Sequence, residues 1–84
     1  MTKATHSPAS AFLREILIAE RVGAGLTQKE VAHRLGRPQS FVSKFETGER
    51  RLDVIELMEV AQVLSIDVCR VIQQLSAAYP ELGK

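Results

Sequence analysis

Between Gln39 and Thr47 the chain places Gln39, Ser40, Ser43, Lys44 and Thr47, an amide, hydroxyls and an ammonium. At about 100° per residue of a helix these fall within an arc of roughly 140°, while Phe41, Val42 and Phe45 fall on the opposite side. One face packs and the other points outward. The outward face lacks the Glu and Lys mixture of a generic solvated helix. Its groups suit the edges of base pairs: Gln bonds bidentately to adenine N6 and N7, a Ser hydroxyl donates or accepts, and Lys reaches guanine O6/N7 or a phosphate. Lys29, Arg34 and Arg37 precede this segment, and Arg50 and Arg51 follow it. Residues 27–51 carry a net +3, against +1 for residues 1–26 and −3 for residues 52–84, so the +1 of the 84-residue chain is a cancellation. A basic middle around a polar helix face is the footprint expected for a polyanionic partner.

Other chemistries have little to stand on. Cys69 is the single cysteine, and with His6 and His33 it makes neither a disulfide framework nor a Cys-based zinc site, so no metal and no cofactor are expected. No Ser/His/Asp or Cys/His pairing points to an enzyme. Cys69 lies one residue from the apolar stripe of the last helix and is expected to be partly buried and inert. The longest aliphatic run near the start, Ile16 to Ala19, is too short for a signal core or a membrane span. A soluble cytoplasmic protein is the expectation.

The elements that position these groups read as helices throughout. Ser7-Pro8 offers a cap and a first-turn proline for a helix over about 9–24 with Leu13, Ile16 and Leu17 inward, stopped by Gly23 and Gly25. Thr27 and Glu30 form a capping box for a short helix over about 27–35, ended by Gly36. Pro38 starts a third helix over about 38–47, and Gly48 ends it. Asp53 and Glu56 repeat the capping logic before Val54, Leu57, Met58, Ala61 and Leu64, which recur at helical spacing. Asp67 opens a last helix over about 67–79 with Val68, Val71, Ile72 and Leu75 on one face. Residues 1–8 read as a flexible tail and 80–84 as a polar end, which leaves one all-α domain over 9–79.

Two short helices meeting at a tight turn follow helix-turn-helix grammar. Leu26-Thr-Gln-Lys-Glu-Val-Ala32, Gly36-Arg-Pro-Gln-Ser-Phe-Val-Ser-Lys-Phe-Glu-Thr-Gly48 and Glu49-Arg-Arg-Leu-Asp53 resemble the phage-repressor/Cro-type helix-turn-helix family, also called the XRE family. The resemblance implies a five-helix, lambda-repressor-like domain that binds double-stranded DNA, with the third helix in the major groove. It implies base reading by Gln39, Ser40, Ser43 and Lys44. It places Gln28 at a position that touches a phosphate and braces the first reader, and it pairs Arg21 with Glu46 as an ion pair between helices. Lys29, Arg37, Arg50 and Arg51 are the expected phosphate contacts. Phe41 has two readings, packing inward or touching a thymine methyl.

A twofold dimer would set two recognition helices about 34 Å apart on successive major grooves, and Val71, Leu75, Ala78 and Tyr79 of the last helix are its expected interface. A homodimeric transcriptional regulator, a repressor by preference, follows from these features together. The competing reading is a protein-interaction or antitoxin-type module on the same helices, with the acidic last third docking a protein partner.

Overall fold

The computed structural model describes residues 7–83. Its helices are α1 (Pro8–Gly23), α2 (Gln28–Leu35), α3 (Gln39–Thr47), α4 (Val54–Val63) and α5 (Val68–Ala78), followed by a 3₁₀ helix at Pro80–Gly83. The expected all-α architecture is the one found, and no strand occurs among the described residues.

Local chemistry sets the boundaries. The Ser7 hydroxyl accepts the Ser10 amide at 3.1 Å, with Pro8 in the first helical turn, so these two residues belong to α1 and the remainder of the expected tail, residues 1–6, lies outside the described residues. Both capping boxes form: the Glu30 amide donates to the Thr27 hydroxyl and the Glu56 amide to Asp53, while each glutamate accepts the cap amide in return. Pro38 is the N-cap of α3 and not its first helical residue. The polar end expected after Tyr79 winds into the 3₁₀ turn, whose Leu82 amide donates to the Tyr79 carbonyl.

Leu17, Val31, Val42 and Val60 are each no more than 1% exposed and come from α1, α2, α3 and α4, so one core joins four helices. Phe41, Phe45, Leu57 and Leu64 complete it, and Leu13, Leu26, Leu35 and Val68 pack against it.

Three expectations about side-chain direction are corrected. Val54 and Met58 turn outward, and Val60 takes the inward place beside Leu57, Ala61 and Leu64. Nearly every side of α4 is apolar, so periodicity alone does not choose its inner face. Cys69 is exposed, because it sits in the first turn of α5 on the side away from Val71. Val71 is itself 3% exposed and is therefore a core residue in the monomer, unavailable to a dimer partner.

Two glycines carry the turns that frame α3. Gly36 ends α2 at φ 70°, and Gly48 ends α3 at φ 88°, conformations that L side chains disfavour by about 1–3 kcal/mol. They differ in their surroundings. A Cβ on Gly36 would meet nothing within 4 Å, whereas one on Gly48 would lie 3.0 Å from Cζ of Arg14. Gly36→Ala is therefore expected to lower stability by about 1 kcal/mol and Gly48→Ala by more, about 2 kcal/mol. Urea unfolding checks this, and equal losses at the two sites would show that the Arg14 guanidinium swings aside freely.

Candidate nucleic-acid interface

The turn between α2 and α3 is closed by backbone bonds. The Gly36 amide donates to the Ala32 and His33 carbonyls, and the Arg37 amide donates to Ala32 at 3.0 Å. α3 therefore leaves α2 after three residues with its orientation fixed. On α3 the division expected from the helical angle is realised. Phe41, Val42 and Phe45 are buried, which settles Phe41 as a packing residue, while Gln39, Ser40, Lys44 and Thr47 are exposed. Ser43 is half-buried and its hydroxyl donates to the Ser40 carbonyl at 3.3 Å; Thr47 does the same toward Lys44 at 3.2 Å. Those two hydroxyls are partly committed to their own helix. Gln39, Ser40 and Lys44 present their polar ends without such a bond.

Behind this face, Arg21 of α1 and Glu46 of α3 form a two-pronged ion pair, Nε to Oε2 at 2.7 Å and a terminal nitrogen to Oε1 at 3.0 Å. Arg21 also donates to the Leu26 carbonyl at 2.9 Å. The Gln28 amide nitrogen donates to the same Glu46 Oε1 at 2.8 Å, so Gln28 braces α3 through Glu46 and not through Gln39. One carboxylate thus ties α1, α2 and α3 together. Its side chain is 6% exposed, and charge-assisted pairing in this fork geometry restricts how α3 can roll.

A second cluster was not foreseen in the sequence. Arg37 of the turn and Arg50 after α3 both stack on the Phe41 ring, 4.5 and 4.8 Å from its centroid. Arg50 reaches both oxygens of Glu56, at 2.9 and 2.7 Å, and Arg37 bonds Glu59 at 3.3 Å and approaches Glu56 at 3.8 Å. The Arg50 guanidinium and the Asp53 amide hold the Glu56 carboxyl down at about 2, well below its ordinary value. Arg37 and Arg50, expected on phosphates, are engaged with carboxylates of α4. The visible clue was Glu56 itself, which capping assigned to Asp53 alone. Arg14 against Gly48 was also missed, and no local pattern predicts it.

Lys29, in α2, and Arg51, in the segment after α3, are both exposed. The capping box leaves the Gln28 and Lys29 backbone amides at the start of α2. No side-chain nitrogen or oxygen buried among the described residues lacks a hydrogen-bond partner, and no group of three His, Cys, Asp or Glu there could hold a metal ion.

The family model described as helix-turn-helix matches residues 17–71. A solved structure, an XRE-family like protein from Pseudomonas syringae pv. tomato str. DC3000, is 48% identical and superposes with a TM-score of 0.85 over 94% of this chain and 96% of that one. The chain belongs to the XRE family of helix-turn-helix proteins. Among curated proteins, an uncharacterized HTH-type transcriptional regulator, y4dJ, of Sinorhizobium fredii (strain NBRC 101917 / NGR234) is 48% identical over 42 residues, 50% of this chain. That alignment spans 54% of the relative, about half its length. The family match includes the whole XRE helix-turn-helix and both charged clusters. Arg14, Leu75 and Tyr79 lie outside it. None of the helices described is long and apolar enough to cross a membrane.

Proposed function

We propose that this XRE-family chain is a sequence-specific regulator of transcription that binds double-stranded DNA as a homodimer on a palindromic or pseudo-palindromic operator. The observation that carries the reading is the outward face of α3, where Gln39, Ser40 and Lys44 stand exposed on a helix whose rotation is locked by Glu46. Such groups discriminate base pairs when the helix lies in the major groove. Gln39 is the leading reader, with Ser40 beside it, and Ser43 and Lys44 one turn later.

Lys29 and Arg51, with the second amide N–H of Gln28, hold phosphates and set the register. Arg37 and Arg50 join them only through donors not already occupied by Glu56 and Glu59, since a guanidinium carries five N–H groups. Repression is the output that occupancy of an operator delivers by itself, which is why we prefer it to activation. No catalytic step enters this function.

Selection of bound duplexes from a random pool tests the proposal. The expected winners contain inverted half-sites about 34 Å apart along the helix axis. Gln39→Ala is expected to relax preference at one base pair of each half-site, by about 1–3 kcal/mol of discrimination, with an unchanged melting temperature because the side chain is exposed. No enrichment at about 50 mM salt, where phosphate contacts are strongest, would overturn DNA binding. Unaltered base preference in the variant would remove Gln39 from the reading set.

A further inference from the structure

Between the first turns of α1 and the segment that follows α3 lies a cavity of about 80 Å³, floored by Leu13, Leu17, Phe45 and Leu52. At about 10–15 Å³ for each water-sized group, it holds roughly five to eight non-hydrogen atoms. The four floor side chains are hydrocarbon and offer no hydrogen-bond partner, so whatever part of a ligand enters must be apolar.

Cations surround this floor. Arg14, Arg50 and Arg51 line the same cavity, and none of the described residues that line it is acidic. The recesses beside α4 and α5 differ, since one includes Glu20 and Asp67 and another Glu59 and Asp67. The three arginines are held differently. Arg50 gives both terminal nitrogens to Glu56 and is a fixed part of the wall. Arg14 is half-buried, and its guanidinium covers the buried Gly48. Arg51 is exposed, and its side chain makes no hydrogen bond or ion pair among the described residues.

We infer that this cavity takes a small organic anion, a carboxylate carried on a compact apolar body, and that its binding weakens the grip on duplex DNA. The body fills the hydrocarbon floor while the carboxylate stays at the mouth, where guanidinium donors match its two oxygens. An inorganic anion would leave the floor empty. A neutral apolar molecule would leave the cations without a counter-charge.

The effect on DNA rests on the functional reading above, in which Arg51 holds a phosphate. The Glu49 and Arg50 amides both donate to the Lys44 carbonyl, at 2.9 and 3.2 Å, so the segment bearing Arg51 is tied to the end of α3. A carboxylate bound at Arg51 occupies donors that a phosphate would use and sets a like charge beside it. Ligand and duplex then compete for one guanidinium, and by linkage each weakens the other by the same factor.

Benzoate is the probe, titrated into the full chain and followed by amide chemical shifts, with benzyl alcohol and sulfate as the apolar and anionic halves of the same chemistry. Wild type is expected to bind benzoate with a dissociation constant of about 1 mM or tighter, within the efficiency that small ligands reach, and each half at least about 10-fold more weakly. Ser10 also lines the cavity, and Ser10→Leu fills it while keeping the backbone amide that the Ser7 cap uses. That variant and Arg14→Gln are each expected to weaken benzoate at least about 10-fold, with melting by circular dichroism recorded for both. Should Ser10→Leu unfold, Arg14→Gln must still weaken binding at least about 5-fold, and no weakening overturns the inference. On a duplex from the random-pool selection, saturating benzoate at constant ionic strength is expected to weaken wild-type binding at least about 5-fold. The same benzoate concentration should change Arg14→Gln less than about 2-fold. Absence of benzoate binding, or sulfate bound as tightly as benzoate, overturns the site while DNA binding stands. Benzoate bound with duplex affinity unchanged overturns the coupling. A chain that binds benzoate and no duplex overturns the functional reading and the coupling with it, and supports the cavity alone.

Discussion

Glu46→Ala is expected to lower the unfolding free energy by about 3–5 kcal/mol, which for a domain of this size drops the melting temperature by about 17–28 °C. The reason lies in what remains behind. Arg21 is 16% exposed and keeps one bond to the Leu26 carbonyl, but loses both prongs to carboxylate and leaves a positive charge in a site built to neutralise it. The Gln28 amide loses its acceptor as well. Glu46→Gln keeps an acceptor for Gln28 while removing the charge, so it is expected to lose about 1–2 kcal/mol. Replacing both partners by apolar residues, Arg21→Met with Glu46→Leu, is expected to recover much of the loss, since no unpaired charge is then buried. Urea unfolding of the three proteins decides it. A loss under about 1 kcal/mol for Glu46→Ala would mean that the pair is screened like a surface salt bridge.

That pair, the capping boxes and the inward face of α3 were legible in the sequence for different reasons. The caps are written in residues three apart, so Thr27 with Glu30 and Asp53 with Glu56 are local chemistry. Phe41, Val42 and Phe45 segregate from Gln39, Ser40 and Lys44 because α3 has a sharply two-sided composition. The pairing of Arg21 with Glu46, twenty-five positions apart, came only through resemblance to a family. What the sequence hid depends on packing between elements. α4 is apolar around most of its circumference, so whether Met58 or Val60 faces inward is decided by α2 and α5, which pack against it, and not by spacing. Arg37 and Arg50, each shortly after a glycine, read as phosphate contacts; their ring and carboxylate partners come from α3 and α4, brought near only by the fold. Cys69 and Val71, two residues apart on α5, exchange the expected roles because α1 covers one side of that helix and solvent the other.

The cluster that was hidden carries the second large prediction. Glu56 has a folded pKa of about 2, against an ordinary 4.5, chiefly because Arg50 donates to its carboxylate and then because the Asp53 amide does. A depressed carboxyl pKa contributes stability that is present above the unfolded value and disappears as pH falls through the folded one. The wild-type advantage over Glu56→Gln is thus expected to be constant from neutral pH down to about 5 and to vanish toward pH 2. Its size is about 1–2 kcal/mol, smaller than the full shift implies, because the Arg50 side chain is 40% exposed and solvent screens the pair. Gln at this position retains an acceptor for the Asp53 amide, so the α4 cap survives and the difference isolates the arginine contacts. Parallel urea titrations of the two proteins between pH 7 and 2 measure it, and a difference that stays flat across that range would sink the clasp. The same variant bears on DNA. Loosening Arg50 from Glu56 frees guanidinium donors beside α3, so an Arg50 that gains a phosphate steepens the log–log salt slope by about 0.9. An unchanged slope would show that Arg50 does not reach the DNA backbone once released.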